Sequence, residues 1–343
     1  APAEALALPG VRRVVTNERK DFLVADALGL PDEIFDREPL AREVLPGLRQ
    51  RTRAFIKVQD GCDNRCTFCI TTVARGDSRS RPAAEVIADI QAALAGGAQE
   101  IVLTGVHLGA WGQDFGAHLR DLVRLILAET DTPRLRLSSL EPWDLDADFF
   151  ALWQSPRLMP HLHLPLQSGS AATLKRMLRK TTPNSFRALA AAARQVIPDL
   201  AITTDLIAGF PGETDDEFAE TLDFVREMDF AGGHVFTYSA RPGTPAARMK
   251  NHVPHEIRKR RNAVLRSVLS EMGERYRARF IGRTLPVLWE SASERTEDGW
   301  RMEGLTGNYI RISAFSPTPR WNEVDTVRLT RLAGEGIEGE IVP

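Results

Sequence analysis

Three cysteines within eight residues, Cys62, Cys66 and Cys69, constrain this 343-residue chain more than any other feature. They are its only cysteines, and an odd set this closely spaced is not the framework of a secreted disulfide protein. The run Asp60-Gly-Cys-Asp-Asn-Arg-Cys-Thr-Phe-Cys follows directly on the apolar stretch 54–58, which reads as a buried strand. A C-x3-C-x2-C loop can wrap three corners of an iron-sulfur cube and leave the fourth iron without a protein ligand. That open iron can chelate the amino and carboxylate groups of S-adenosylmethionine (SAM). An electron from the cluster can then cleave the sulfonium to a 5′-deoxyadenosyl radical. Two plainer readings compete. Structural zinc is closed by four ligands, usually from paired C-x2-C units, and here no fourth Cys exists and the next His is His107. The other is a set of buried free thiols.

The rest of the chain describes what carries this loop. Short apolar runs at 54–58, 100–104, 134–138, 161–164, 201–207 and 233–238 read as strands. Helix-period stretches lie between them, marked by Val86, Ile87, Ile90 and Leu94, and by Phe218, Leu222 and Val225. Six strands alternating with helices predict an α/β fold with a parallel sheet, because parallel neighbours need a helical crossover; a partial (β/α)6 barrel covers that count. A long helix follows, with Ile257, Val264, Leu265, Val268 and Met272 on one face. Beyond about Phe280 the period drops to two. Five short runs, at 284–289, 300–303, 309–312, 326–329 and 339–342, predict a small all-β barrel of the oligonucleotide-binding kind. Before residue 50 only 11–15 suggests a strand, too little for a core. No apolar stretch approaches the roughly 20 residues of a membrane span, so no membrane partner is expected, and three free thiols fit a reducing cytoplasm.

Charge is unevenly divided. The net charge is −2, yet residues 250–283 hold ten Lys or Arg against three Glu. One-signed excess beside an RNA-binding type of barrel favours a polyanion partner, with Arg258, Arg260 and Arg261 as candidate contacts. A solvated helix face is the plain alternative. Arg65, Arg75, Arg79 and Arg81 flank the cysteine loop, where they could pair with a carboxylate or with phosphates. Trp289, Trp300, Tyr309 and Trp321 are either a stacking platform for unpaired bases or core. His163, Gln167 and Ser168 follow the fourth strand as neutral polar groups facing its end, whereas His161 reads as structural. Thr214 with Glu217 forms a capping-box signature for the helix starting at Asp215.

Arg53-Ala-Phe-Ile-Lys-Val-Gln-Asp-Gly-Cys-Asp-Asn-Arg-Cys-Thr-Phe-Cys and Ala74-Arg-Gly-Asp-Ser-Arg-Ser-Arg together resemble the radical SAM methylthiotransferases. Leu103-Thr-Gly-Val-His-Leu-Gly, Leu137-Ser-Ser-Leu-Glu-Pro, His161-Leu-His-Leu-Pro-Leu-Gln-Ser-Gly and Thr204-Asp-Leu-Ile-Ala-Gly-Phe-Pro-Gly-Glu-Thr match in order. The Gln-Asp-Gly-Cys-Asp and Leu-Thr-Gly-Val-His-Leu-Gly forms are most similar to the MtaB-type branch, which methylthiolates C2 of N6-threonylcarbamoyladenosine beside the tRNA anticodon. The resemblance implies a radical SAM barrel over 51–249, a basic connecting helix at 250–279 and a TRAM domain at 280–343. It implies a [4Fe-4S] cluster on Cys62, Cys66 and Cys69 and SAM held near Thr104, Gly105, Ser139, Glu141, Gly209 and Gly212, with a turn cap as the alternative for Glu141. His163, Gln167, Arg75, Arg258, Arg260 and Arg261 would meet the substrate, a tRNA anticodon stem-loop. No catalytic side chain is implied beyond the cluster-bound SAM. A reductant such as flavodoxin or ferredoxin would supply electrons.

Members of the family carry three further cysteines in an N-terminal domain that holds a second [4Fe-4S] cluster, and this chain has none. Residues 1 to about 50 are therefore expected to be the remnant and linker of that domain in a truncated form, limited to SAM cleavage or methyl transfer. Three other activities stay open: methylthiolation of isopentenyladenosine in tRNA, modification of a ribosomal-protein aspartate, and RNA binding without catalysis around a structural metal.

Overall fold

The computed structural model describes residues 2–15, 23–29, 52–296 and 299–342. Six parallel strands form the expected partial barrel: β1 (Arg53–Asp60), then β3 (Glu100–Gly105), β4 (Leu135–Leu137), β5 (His161–His163), β6 (Ala201–Ala208) and β7 (Gly232–Thr237). A two-residue strand, β2 (Arg79–Ser80), runs antiparallel on the outer edge of β1. Bridges Leu135↔Leu158 and Ser139↔His163 join the halves β1-β3-β4 and β5-β6-β7.

Strand alternation sorts the side chains. On β1, Ala54, Ile56 and Val58 are buried in the main core, which also takes Val86, Ile87 and Ile90 of the helix Ala83–Ala95. Phe55, Lys57 and Gln59 therefore take the barrel's inner face. On β6, Ile202, Leu206 and Ala208 join the same core, so Thr203, Asp205 and Ile207 point inward. The short run 11–15 was expected to be a strand but is irregular; it has no pairing partner among the described residues, and a strand without one leaves its backbone unsatisfied.

The C-terminal segment closes into a five-stranded barrel in the order β10-β12-β11-β8-β9. Its strands are β8 (Thr284–Thr296), β9 (Gly299–Thr306), β10 (Arg311–Ser316), β11 (Val324–Ala333) and β12 (Gly336–Ile341). The count matches the sequence reading, but β8 and β11 are much longer than expected. Register shifts at Trp289/Ser291 and Leu329/Arg331 bend these long strands around the small circumference. Trp289 lies in the core of this barrel. The connecting helix His255–Ala278 buries Leu265, Val268, Leu269, Met272 and Tyr276. Val264, expected on that face, is 38% exposed.

The small barrel docks on the N-terminal ends of the parallel strands. Glu100 is fully buried between Arg134 and Arg136, at 3.0 and 2.7 Å. Their other donors reach carbonyls at the end of β9 and in the turn after it: Arg134 to Leu305 at 3.4 Å and Arg136 to Gly307 at 2.9 Å. Burial alone would raise the Glu100 pKa, but the two guanidiniums outweigh it and hold the carboxyl below its ordinary range. From the same turn Tyr309, in the left-handed region at φ 66°, stacks on His161 with centroids 4.6 Å apart and planes at 6°. Asn308 bonds the Tyr276 hydroxyl at 3.0 Å, and that hydroxyl donates to the Asp199 carbonyl at 2.8 Å.

Candidate active site

The cysteine loop leaves the C-terminal end of β1, the edge where barrel enzymes place their ligands. Gly61 makes the exit at φ 73°; a Cβ there would lie 1.8 Å from the Asp77 carbonyl, so no larger residue fits. The Cys62 N–H donates to Gly76 at 3.1 Å and the Cys69 N–H to the Cys66 carbonyl at 3.1 Å. Thr72 caps the turn through its hydroxyl, donating to the carbonyls of Cys62 (3.1 Å) and Asn64 (2.9 Å). All three thiols are free, Cys62 and Cys66 half-buried and Cys69 exposed.

Two residues that the sequence reading did not name as site residues hold this loop to its neighbours. Gln59, 1% exposed, donates to the carbonyls of Asp60 and Gly61 and to the Ser78 hydroxyl, and accepts the His107 N–H at 2.8 Å. Arg179, on the turn after the helix Ala171–Arg176, grips both oxygens of Glu141 at 3.0 and 2.6 Å and donates to the Pro165 carbonyl. Its remaining Nη1 reach is to the Cys66 sulfur, at 3.8 Å. Burial pushes the Cys66 thiol up, and the Arg179 charge offsets only part of that.

Cys62 has its own polar neighbour. His107 bonds Asp144 at 2.6 Å and lies 3.3 Å from the Asn64 amide. Burial would lower the His107 pKa, yet Asp144 and Cys62 carry it up to about 9. Burial raises the Cys62 thiol as well, but hydrogen bonds from His107 and Asn64 bring it below its ordinary value. The Asp144 approach requires Gly109, where a Cβ would fall 2.5 Å from the carboxylate. Trp143 lies between the two sets, under Arg179 at 4.4 Å and edge-on to His107.

Half-exposed thiols on one short loop, each of two beside a cationic side chain, suit an iron-sulfur cluster, whose net charge and sulfur hydrogen bonds set its properties. Among the described residues no group of three or more His, Cys, Asp or Glu, the three cysteines included, is placed to hold a metal ion.

The candidates for holding SAM fall into three pairs. Thr104 and Gly105 end β3 beside Gln59, whose side chain leaves no room for a Cβ at Gly105 without a shift. Gly209 and Gly212 both have positive φ; the Gly209 and Phe210 N–H groups fold onto the Glu213 carboxylate, and the Thr214–Glu217 capping box forms as read. Ser139 is exposed beside His163, whereas Glu141 is engaged by Arg179.

Gln167 takes a left-handed φ of 71° and pairs through its backbone with β6, and Ser168 bonds Thr221 in the interior. Arg75 is ion-paired with Asp60 at 3.0 Å. On the basic helix Arg260 is exposed. Arg258 is half-buried, its guanidinium on the Tyr238 carbonyl. Arg261, expected to face RNA, is 4% exposed and locked to Asp215 and Glu213, because its position on the helix turns it toward the loop after β6. Among the described residues no helix is long and apolar enough to cross a membrane.

Comparison with known proteins places this architecture. Residues 56–225 match the radical SAM superfamily model. The chain is 36% identical to the threonylcarbamoyladenosine tRNA methylthiotransferase MtaB of Bacillus subtilis (strain 168), over all of this chain and 78% of that protein. It is 34% identical to the tRNA-2-methylthio-N(6)-dimethylallyladenosine synthase of Bacillus pumilus (strain SAFR-032), over 90% of this chain and 61% of that one. Among solved structures, the Escherichia coli coproporphyrinogen III oxidase HemN, a radical SAM enzyme, shares the fold: the TM-score is 0.50 at 17% identity, covering 66% of this chain and 54% of that one. The chain belongs to the radical SAM methylthiotransferase family.

Proposed function

We propose that this chain carries the radical SAM chemistry of a tRNA methylthiotransferase acting at C2 of N6-threonylcarbamoyladenosine, beside the anticodon, in the cytoplasm. The observation that carries the reading is the match to the threonylcarbamoyladenosine-specific relative along the whole chain, from the cysteine loop through the C-terminal barrel. Cys62, Cys66 and Cys69 would hold three irons of a [4Fe-4S] cluster, and SAM would occupy the strand ends around Thr104, Gly105 and Gly209. With both bound, they supply one-electron reductive cleavage of the sulfonium. The second cluster and the sulfur it delivers belong to the same proposal, as does a flavodoxin or ferredoxin as electron source.

The chain's own residues have separable tasks. Gln59 ties the cysteine loop to the loop after β3, so that the thiols and the SAM-facing backbone move as one unit. Arg179 places a fixed positive charge beside Cys66, where negative charge concentrates when a cluster is held. The inward polar side chains of β5 and β6 line the space for a base. The C-terminal barrel, of the TRAM kind, would hold the anticodon stem at a set distance because its β9–β10 turn is bonded into the catalytic barrel.

Nucleoside analysis of total tRNA from a deletion strain tests the assignment. Loss of the methylthio derivative of threonylcarbamoyladenosine is the expected result. An unchanged profile overturns it, and loss of the isopentenyl derivative instead would move the enzyme to the other tRNA branch.

A further inference from the structure

A chain of contacts, a ring stack followed by hydrogen bonds, runs from the C-terminal barrel along the inner face of the catalytic barrel and ends on a carboxylate oxygen without a partner among the described residues. Tyr309 stacks on His161; His161 Nε2 and His163 Nδ1 both lie 2.9 Å from the Thr203 hydroxyl; His163 Nε2 lies 3.2 Å from Asp205 Oδ2. Asp205 Oδ1 is buried and without a partner among the described residues. Buried polar atoms are ordinarily paired, so an orphan acceptor on the inner face of a binding barrel marks where a donor arrives.

Burial, with Arg136 and His163 nearby, lowers the His161 pKa. The Thr203 hydroxyl has a single hydrogen and two imidazole neighbours, so it donates to one ring and accepts from the other. An ionised carboxylate only accepts, so His163 Nε2 carries the proton of its contact with Asp205 Oδ2. Oδ1 accepts from none of these groups and keeps its lone pairs for a ligand.

We propose that Asp205 is a specificity-determining residue whose Oδ1 accepts the N6–H of the adenosine being modified; this rests on the tRNA-modifying function proposed above. On an N6-monosubstituted adenine the ring-edge positions N1, N3 and N7 are all acceptors. N6–H is the one donor the edge offers, and a carboxylate requires a donor. Tyr309, His161, Thr203 and His163 act through Asp205 as positioning residues.

The relay makes a sharp test possible. In Asp205→Asn, His163 still donates to the side-chain oxygen, so the amide NH2 is forced into the Oδ1 position and turns an acceptor into a donor. The enzyme, reconstituted anaerobically, is assayed on an anticodon stem-loop carrying N6-threonylcarbamoyladenosine, with binding followed separately by fluorescence anisotropy. Asp205→Asn is expected to raise both KM and Kd by about 10- to 100-fold, with kcat less affected. In a His163→Ala background the amide is free to flip and present its oxygen, so the same substitution should cost about threefold or less. That recovery could not come from a misfolded variant. Unchanged KM and Kd in Asp205→Asn, or a loss that persists undiminished in the His163→Ala background, overturns the proposal. Failure of the wild type to bind or modify the stem-loop removes the function itself, and this role with it.

Discussion

Two arginine–carboxylate sites occupy opposite ends of the same half-barrel and differ in how completely they are satisfied. At the floor, Glu100 is enclosed by Arg134 and Arg136, whose spare donors are used on carbonyls of the docked C-terminal barrel. At the mouth, Glu141 holds Arg179, but the Arg179 Nε has no partner among the described residues and its Nη1 points at a thiol. A closed network in low dielectric is stable as it stands, whereas the Arg179 guanidinium, though bidentate on Glu141, also keeps a donor directed at the Cys66 sulfur. The same residue pair thus joins the two barrels at one end and faces the cysteine loop at the other.

The largest expected effect is at the mouth. Cys66→Ala should abolish cluster binding and 5′-deoxyadenosine formation while leaving the circular dichroism spectrum intact; retained iron and retained product would break the functional side of the contrast. At the floor, Glu100→Ala leaves two guanidiniums buried together and should cost about 3–5 kcal/mol in urea unfolding. The depressed Glu100 pKa adds a pH signature. Its stabilisation is fully present above the unfolded carboxyl value of about 4.3 and is lost as pH falls through the lower folded value. A wild-type stability that falls in acid more steeply than that of Glu100→Gln would sharpen the assignment.

Arg179→Leu should reverse the balance seen at Glu100. The Glu141 carboxylate it abandons is 23% exposed and can turn to water, so the stability loss should stay near 1–2 kcal/mol. Iron retention or SAM cleavage should fall about 10- to 100-fold. A stability loss matching that of Glu100→Ala would mean that both ends are structural. The smallest effect belongs to the basic helix: Arg260→Ala should lower the salt dependence of tRNA binding by about one unit of slope. Arg261→Ala, removing a buried ion pair, should act on stability instead.

The cysteine spacing, the alternation of short apolar runs with helical stretches and the late change to period two were enough to read a cluster loop, a partial barrel and a small β-barrel. Each is a local pattern, written in neighbouring residues by thiol spacing, strand pleat or helix repeat. Arg179 and Asp144 carry no such mark: their partners, Cys66 and His107, lie 113 and 37 positions away, and only the strand order brings them together. Arg261 misled for the matching reason. A charge in a basic run looks solvent-facing until the helix phase and the packing of the loop after β6 turn it inward. His161, read as merely structural, links two barrels because the turn carrying Tyr309, almost 150 residues later, folds beneath it. Sequence alone determined which chemistry this chain can hold and the elements that carry it. Tertiary structure decided which charges are closed on each other, which face the cysteine loop, and how the two barrels, each with its own core, are joined, since pairing across the fold depends on distances in space that no local pattern records.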